Sequence, residues 1–200
     1  MENSVQFESE GLLLEGLLEK NDTEKAIIIT HPHPLYGGEM HNAVVSAMKD
    51  AFADKGFSTL RFNFRGTGYS QGKHDDGIGE KKDVVSAIAF LVNEGFREIN
   101  LAGYSFGAWV NLMATASEDL TIESLFLISP PVDFIEFEPV SNISPLKLVV
   151  AGDRDEYASF PRIQTMAPDW NSDAAIERIS GGDHFYSGCL DTLKKTIYNI

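Results

Sequence analysis

Continuous apolar, β-branched runs alternate along this chain with stretches in which apolar residues recur every three or four positions, and that alternation predicts its elements. Lys25-Ala-Ile-Ile-Ile-Thr30 is apolar at every interior position, as in a strand buried on both faces of a parallel sheet. From Ala43 to Lys55, Val44, Val45, Met48 and Phe52 fall on one side of a helix, and Gly56 is placed to end it. Strand Ser58 to Phe64 follows, then a glycine-rich loop from Arg65 to Gly79, then a helix from Glu80 to Asn93 striped by Val84, Ile88 and Leu91. The second half continues with strand Ile99 to Tyr104, helix Phe106 to Ala116 and strand Ser124 to Ser129. Strands Lys147 to Ala151 and Ala174 to Ile179 come next, with no helix predicted between them, and a terminal helix runs from about Phe185. Ahead of all this, Val5 to Glu19 reads as two short strands broken near Gly11, an edge hairpin. Pro130 to Pro145, with four prolines, reads as an irregular connection. The order predicts an α/β fold with a mainly parallel, doubly wound sheet of about eight strands and right-handed crossovers.

A length of 200 residues with 43% hydrophobic and 23% charged residues suits one compact domain spanning 1–200, and excludes disorder and fibrous repeats. Sixteen Lys and Arg against thirty Asp and Glu leave a net charge of −14, which repels phosphate backbones and anionic headgroups. Nucleic acid and membranes are therefore not expected partners; nothing in the pattern sets the oligomeric state. The lone Cys189 can make neither an intrachain disulfide nor a thiolate cage, and Met1 to Glu10 shows no cationic segment followed by an apolar one. A cytoplasmic protein is the expectation.

Gly-x-Ser-x-Gly occurs twice, around Ser105 and around Ser70. A nucleophilic serine on such a turn needs a strand immediately before it and a helix immediately after it, and only Ser105 has both. Ser70 lies among Gly66, Gly68 and Gly72, where a loop is the simpler reading. A serine hydroxyl needs a base, and the base needs an acid to set its tautomer. His184 follows the last predicted strand, and Asp153 and Asp155 follow the strand Lys147 to Ala151, in the chain order serine, acid, histidine. Either aspartate can orient the imidazole from the sheet edge. The oxyanion calls for two main-chain donors: the amide of Phe106, and one from the loop after Thr30. Pro32 and Pro34 have no N–H, which leaves His33, Leu35 or Tyr36. His31, His33 and His41 lack a close third ligand for zinc, so imidazole hydrogen bonds that anchor the loop are the reading, with no metal. Gly66-x-Gly68 fails as a dinucleotide fingerprint because Gln71 stands where the third glycine belongs, so no cofactor is implied.

Four blocks carry a family resemblance: His31-Pro-His33-Pro-Leu-Tyr-Gly37-Gly38-Glu-Met40-His-Asn42, Arg61-Phe-Asn-Phe-Arg65-Gly66, Gly79-Glu80, and Gly103-Tyr-Ser105-Phe-Gly107-Ala108. From about Ala26 onward the chain resembles the small cap-less bacterial α/β-hydrolases. The resemblance implies an α/β-hydrolase fold without a cap domain, since only Pro130 to Pro145 stands where larger relatives insert one. It favours Asp155, which ends Gly152-Asp-Arg-Asp155, over Asp153, and it matches His33 to the second oxyanion donor. The expected function is a serine hydrolase cleaving an ester or related acyl bond of a small molecule through an acyl-enzyme, with catalytic Ser105, Asp155 and His184. An open cleft walled by Leu35, Tyr36, Tyr69 and Phe134 predicts short acyl groups. The alternatives are a non-catalytic scaffold that binds a ligand or partner, or the same triad acting on thioesters or amides.

Overall fold

The computed structural model describes residues 1–137 and 139–200. Eight strands form one sheet: β1 (Asn3–Ser9), β2 (Leu12–Glu19), β3 (Lys25–Thr30), β4 (Ser58–Phe62), β5 (Glu98–Tyr104), β6 (Ser124–Ile128), β7 (Leu146–Gly152) and β8 (Ala175–Ile179). Their spatial order is β1-β2-β4-β3-β5-β6-β7-β8. The β1–β2 hairpin and its pairing with β4 are antiparallel, and every pair from β4 to β8 is parallel. The helices are α1 (Ala43–Asp54), α2 (Ile78–Asn93), α3 (Phe106–Ser117), α4 (Phe160–Trp170) and α5 (Leu190–Tyr198). Among the described residues no helix is long and apolar enough to cross a membrane.

Successive strand residues face opposite sides, so the apolar run of β3 feeds two cores at once. Ile27 and Ile29 pack with Val45, Met48 and Phe52 of α1 and with Leu193 and Ile197 of α5. Ala26 and Ile28 share the other core with Val84 and Leu91 of α2, Val110 of α3 and Ile163 of α4. This is why the strand shows no alternation in its sequence.

Three elements differ from the sequence expectation. Helix α4 was not predicted. It accommodates two prolines: Pro161 occupies the first turn, where its missing N–H is not needed, and Pro168 falls in the last turn. Helix α2 begins at Ile78 rather than Glu80: the Glu80 carboxylate accepts from the Gly77 amide at 2.8 Å and so starts the helix earlier. Helix α5 begins at Leu190, not near Phe185, because a turn intervenes in which the Asp183 carboxylate accepts from the Ser187 amide at 2.8 Å and Gly188 has φ +71°.

The topology brings particular loops together. The order reverses at β3, with β4 on one side and β5 on the other, so the loops leaving Thr30 and Tyr104 emerge side by side at the carboxyl edge. Gly152 pairs with Ile179, which puts the loops after β7 and β8 next to each other on the same edge.

Candidate active site

Ser105 sits between the end of β5 and the start of α3 with φ +54° and ψ −118°, a conformation a non-glycine residue holds only under surrounding constraint. Close packing supplies that constraint. A Cβ at Gly107 would lie 2.7 Å from the Thr30 main chain, and one at Gly103 would lie 2.5 Å from Gly107, so neither position admits a side chain. The turn pushes the serine hydroxyl out of the sheet edge, within 2.9 Å of His184 Nε2.

His184 Nδ1 lies 2.9 Å from both Asp155 oxygens. The carboxylate cannot donate when ionised, so Nδ1–H is the donor and Nε2 is left to accept from the Ser105 hydroxyl. Asp155 is buried, and its Oδ1 also accepts from the amides of Tyr157 at 3.0 Å and Ala158 at 2.9 Å, which orient the carboxylate before any substrate arrives. Asp153 points elsewhere: its Oδ1 accepts from the Gly181 amide at 2.7 Å and ties the β7 and β8 loops together. The structure thus brings Ser105, His184 and Asp155 into one hydrogen-bonded chain and leaves Asp153 outside it.

The His184 loop is held from below by groups that sequence reading missed. Tyr104 Oη donates to the His184 carbonyl at 2.8 Å, and Tyr186 Oη is 2.8 Å from Ser129 Oγ. Burial pushes both phenols up, so both stay protonated. Tyr104 was visible beside the serine, but Tyr186 and Ser129 carry no sequence signal; their φ values of +53° and +45° belong to the folded backbone.

On the other side of Ser105, a 3-10 turn spans Pro34–Tyr36. Its amides are used internally: Tyr36 and Gly38 donate to the His33 carbonyl, Gly37 to the Pro34 carbonyl, and Leu35 to His33 Nδ1 at 3.3 Å. Of the three donors the sequence left open, His33 is the one whose N–H finds no acceptor among the described residues. Phe106, as the first residue of α3, likewise has an N–H with no acceptor among the described residues. Burial, with the His74 ring beside it, holds the His33 imidazole below its ordinary range, against the pull of Asp76 and Glu80.

Two histidines of the block, His31 and His33, anchor the loop through their imidazoles. His31 is fully buried, its Nδ1 donating to the Pro32 carbonyl at 2.7 Å and its Nε2 accepting from the Phe64 amide at 3.0 Å. Asn63 accepts from the Met40 amide at 2.8 Å, and Arg61 donates to the Met40 carbonyl at 2.9 Å, clamping the loop that leads to α1. Ser70 is spoken for as well: its hydroxyl donates to the Asn63 carbonyl at 2.7 Å and accepts from the Glu15 amide at 3.1 Å.

Burial pushes the His31 imidazole down from 6.5 to about 4. Between those values the unfolded chain binds a proton that the fold refuses, so the contribution of His31 to stability falls as pH drops from about 6.5 to about 4 and is constant below. The full span corresponds to about 3 kcal/mol. Urea midpoints at pH 7 and pH 4 are expected to differ less in His31→Gln than in the unmodified protein; equal differences would remove His31 from the acid sensitivity.

A cavity of about 240 Å³ opens over Ser105, walled by His33, Tyr36, Phe106, Phe134, Tyr157 and Phe185. Tyr36 and Phe134 lie where the sequence reading put them. Leu35 and Tyr69 do not: both line a separate depression on the far side of the Pro34–Gly38 turn. Consecutive side chains of a 3-10 turn point about 120° apart, so Leu35 turns away as Tyr36 turns in. Tyr69 is held out by its amide, which donates to Glu15 Oε1 at 2.7 Å.

Comparison with known proteins agrees with this architecture. An uncharacterized protein of Rickettsia prowazekii (strain Madrid E) is 32% identical over 196 residues, covering 92% of this chain and 82% of its own. An alpha-beta serine hydrolase homologue from Coxiella burnetii superposes with a TM-score of 0.90 at 30% identity, covering 98% of this chain and 96% of that one. An a/b serine hydrolase without lid from Xanthomonas campestris gives 0.89 at 27%, covering 99% and 92%. The sheet, its flanking helices and the lack of a cap domain among the described residues are those of the α/β-hydrolase fold. The model of the family described as X-Pro dipeptidyl-peptidase (S15 family) matches residues 20–139, over half of the chain, and to that family of serine hydrolases the chain belongs.

Proposed function

We propose that this hydrolase cleaves small, uncharged carboxylic esters through a covalent acyl-enzyme. The observation that carries the reading is the unbroken chain from Ser105 Oγ through His184 to Asp155, at a strained turn facing an apolar cavity. In the proposed cycle Ser105 Oγ attacks the ester carbonyl carbon while its proton passes to His184 Nε2. The negative oxygen of the tetrahedral intermediate accepts from the amides of His33 and Phe106. His184 then protonates the departing alcohol, leaving the acyl group on Ser105. Water attacks that acyl group, giving its proton to His184, and the acid leaves as Ser105 Oγ regains it. Asp155 stays ionised throughout and stabilises the imidazolium.

A dipeptidyl-peptidase reading comes from the family description, and the cavity argues against it. Such a substrate brings a free α-ammonium group that needs a carboxylate, yet no Asp or Glu is among the described residues that line the cavity. The ends of an open, cap-less cleft also favour short acyl groups over long ones. The scaffold alternative leaves the strained Ser105 turn without a purpose.

The test is a fluorophosphonate probe, which reacts only where a serine has both a base and an oxyanion site. One label per chain, mapped to Ser105, is expected. It persists in Ser70→Ala, whose hydroxyl is occupied in a loop. Alongside it, short-chain esters are hydrolysed and Xaa-Pro anilides are not. Label on Ser70 overturns the site, no label on folded protein favours the scaffold, and anilide hydrolysis exceeding ester hydrolysis restores the peptidase.

A further inference from the structure

Six rings surround the Ser105 hydroxyl in a nearly continuous chain of contacts. His33 meets Tyr36 at a centroid distance of 5.0 Å and 72°, and Tyr36 meets Phe134 at 5.7 Å and 73°. Phe134 meets Tyr157 at 5.7 Å and 85°, Tyr157 meets His184 at 4.9 Å, and His184 meets Phe185 at 5.7 Å and 83°. The contacts are mostly edge-to-face, an arrangement aromatic rings favour, and these residues line the cavity, where one further ring can join the same kind of packing.

The rings come from separate loops. Tyr36 belongs to the turn after β3, Phe134 to the connection after β6, Tyr157 to the loop after β7 and Phe185 to the loop after β8. No single amphipathic element accounts for such convergence. Tyr36 is 74% exposed, Phe185 62%, Phe134 48% and Tyr157 41%, so the rim keeps a patch of aromatic surface in water that a guest would cover.

Charge and size narrow the guest. Among the described residues lining the cavity there is no Lys, Arg, Asp or Glu, so an ionised group entering it would lose water and gain no counter-charge. The surrounding −14 opposes anions further. At about 240 Å³ the cavity lies below the roughly 300–1,000 Å³ of sites for drug-sized ligands, so the guest is compact. A flexible alkyl chain would run past the rim and also lose rotamer freedom, whereas a rigid ring enters with little entropy to lose.

The geometry points to an uncharged ester bearing an aromatic ring within two or three bonds of the scissile carbonyl carbon, on its acyl or its alcohol side, as the substrate class of this site. This rests on the ester hydrolase reading above. The experiment compares kcat/KM for methyl phenylacetate with that for methyl octanoate, and for benzyl acetate with that for heptyl acetate, each pair matched carbon for carbon. At least one aryl ester is expected to exceed its linear partner by about tenfold or more, and the pair that does so assigns the ring to the acyl or the alcohol side. Phe134→Leu keeps apolar bulk and removes a ring, so it brings the ratio toward one while Ser105 still takes the phosphonate label. Linear esters that match both aryl esters overturn the proposal, as does a ratio unchanged in both Phe134→Leu and Tyr157→Leu. If no ester is turned over, calorimetry on Ser105→Ala separates the two ideas. Tighter binding of an aryl ester than of its linear partner in either pair sustains the aryl site and removes the ester-cleaving reading; equal binding in both pairs removes both.

Discussion

Ser105→Ala and His184→Ala are each expected to lower kcat for a short ester by about 10⁴- to 10⁶-fold, with the melting temperature nearly unchanged. The reasoning starts from the 2.9 Å contact between Ser105 Oγ and His184 Nε2. Without the oxygen there is no bond to the acyl carbon, and without the imidazole the hydroxyl keeps its proton and stays a poor nucleophile. Neither replacement disturbs the fold's supports, because the His184 loop is held through its main-chain carbonyl by Tyr104 and through Tyr186 by Ser129. The double variant is expected to cost about as much as either single one, since the two groups act as one unit. Losses that instead multiply in the double variant would show that the two side chains act independently and would break the proposed chain.

Asp155→Asn is expected to reduce kcat by about 10⁴-fold, the size this change has where a histidine depends on a carboxylate for its tautomer. The structure says why an amide cannot substitute. Asp155 Oδ1 already accepts from the Tyr157 and Ala158 amides, so the amide oxygen of the replacement is held in that position. Its NH₂ group then takes the place of Oδ2, 2.9 Å from His184 Nδ1. A donor there opposes an Nδ1–H, already left only with an Oδ1 shared by two amides, and favours the tautomer with the ring proton on Nε2, where it faces the Ser105 hydroxyl and cannot take its proton. Asp153→Asn keeps an oxygen for the Gly181 amide and is expected to retain activity within a few fold. Steady-state kinetics on both variants, with circular dichroism to verify folding, decides the matter. A large loss in Asp153→Asn with little in Asp155→Asn would reverse the assignment of the acid.

The elements that the chain announced are those whose signal is local. The unalternating run Lys25 to Thr30 reads as a strand covered on both faces, and the spacing of Val44, Val45, Met48 and Phe52 reads as a helix, which packs on one of them. The strand-turn-helix context of Ser105 distinguished it from Ser70 for the same reason: both neighbours of the turn are contiguous in sequence. Helix α4 was missed though Phe160, Ile163, Ala167 and Trp170 carry its buried stripe at helical spacing.

What contiguity cannot convey is which atom of one loop meets which atom of another. Asp153 and Asp155 are equivalent by spacing, and they separate only because the Gly181 amide captures one while two amides of its own loop aim the other at His184. His33, Leu35 and Tyr36 are equivalent as amides until the 3-10 turn consumes two of them. Leu35 and Tyr36 are adjacent apolar residues, yet turn geometry sends one into the cavity and the other away from it. The ring of aromatics is assembled from loops at the ends of four strands, so it exists only once β3, β6, β7 and β8 are paired in register. Hydrophobic periodicity is written in neighbours along the chain; hydrogen-bond direction and cavity walls are written in neighbours across the sheet.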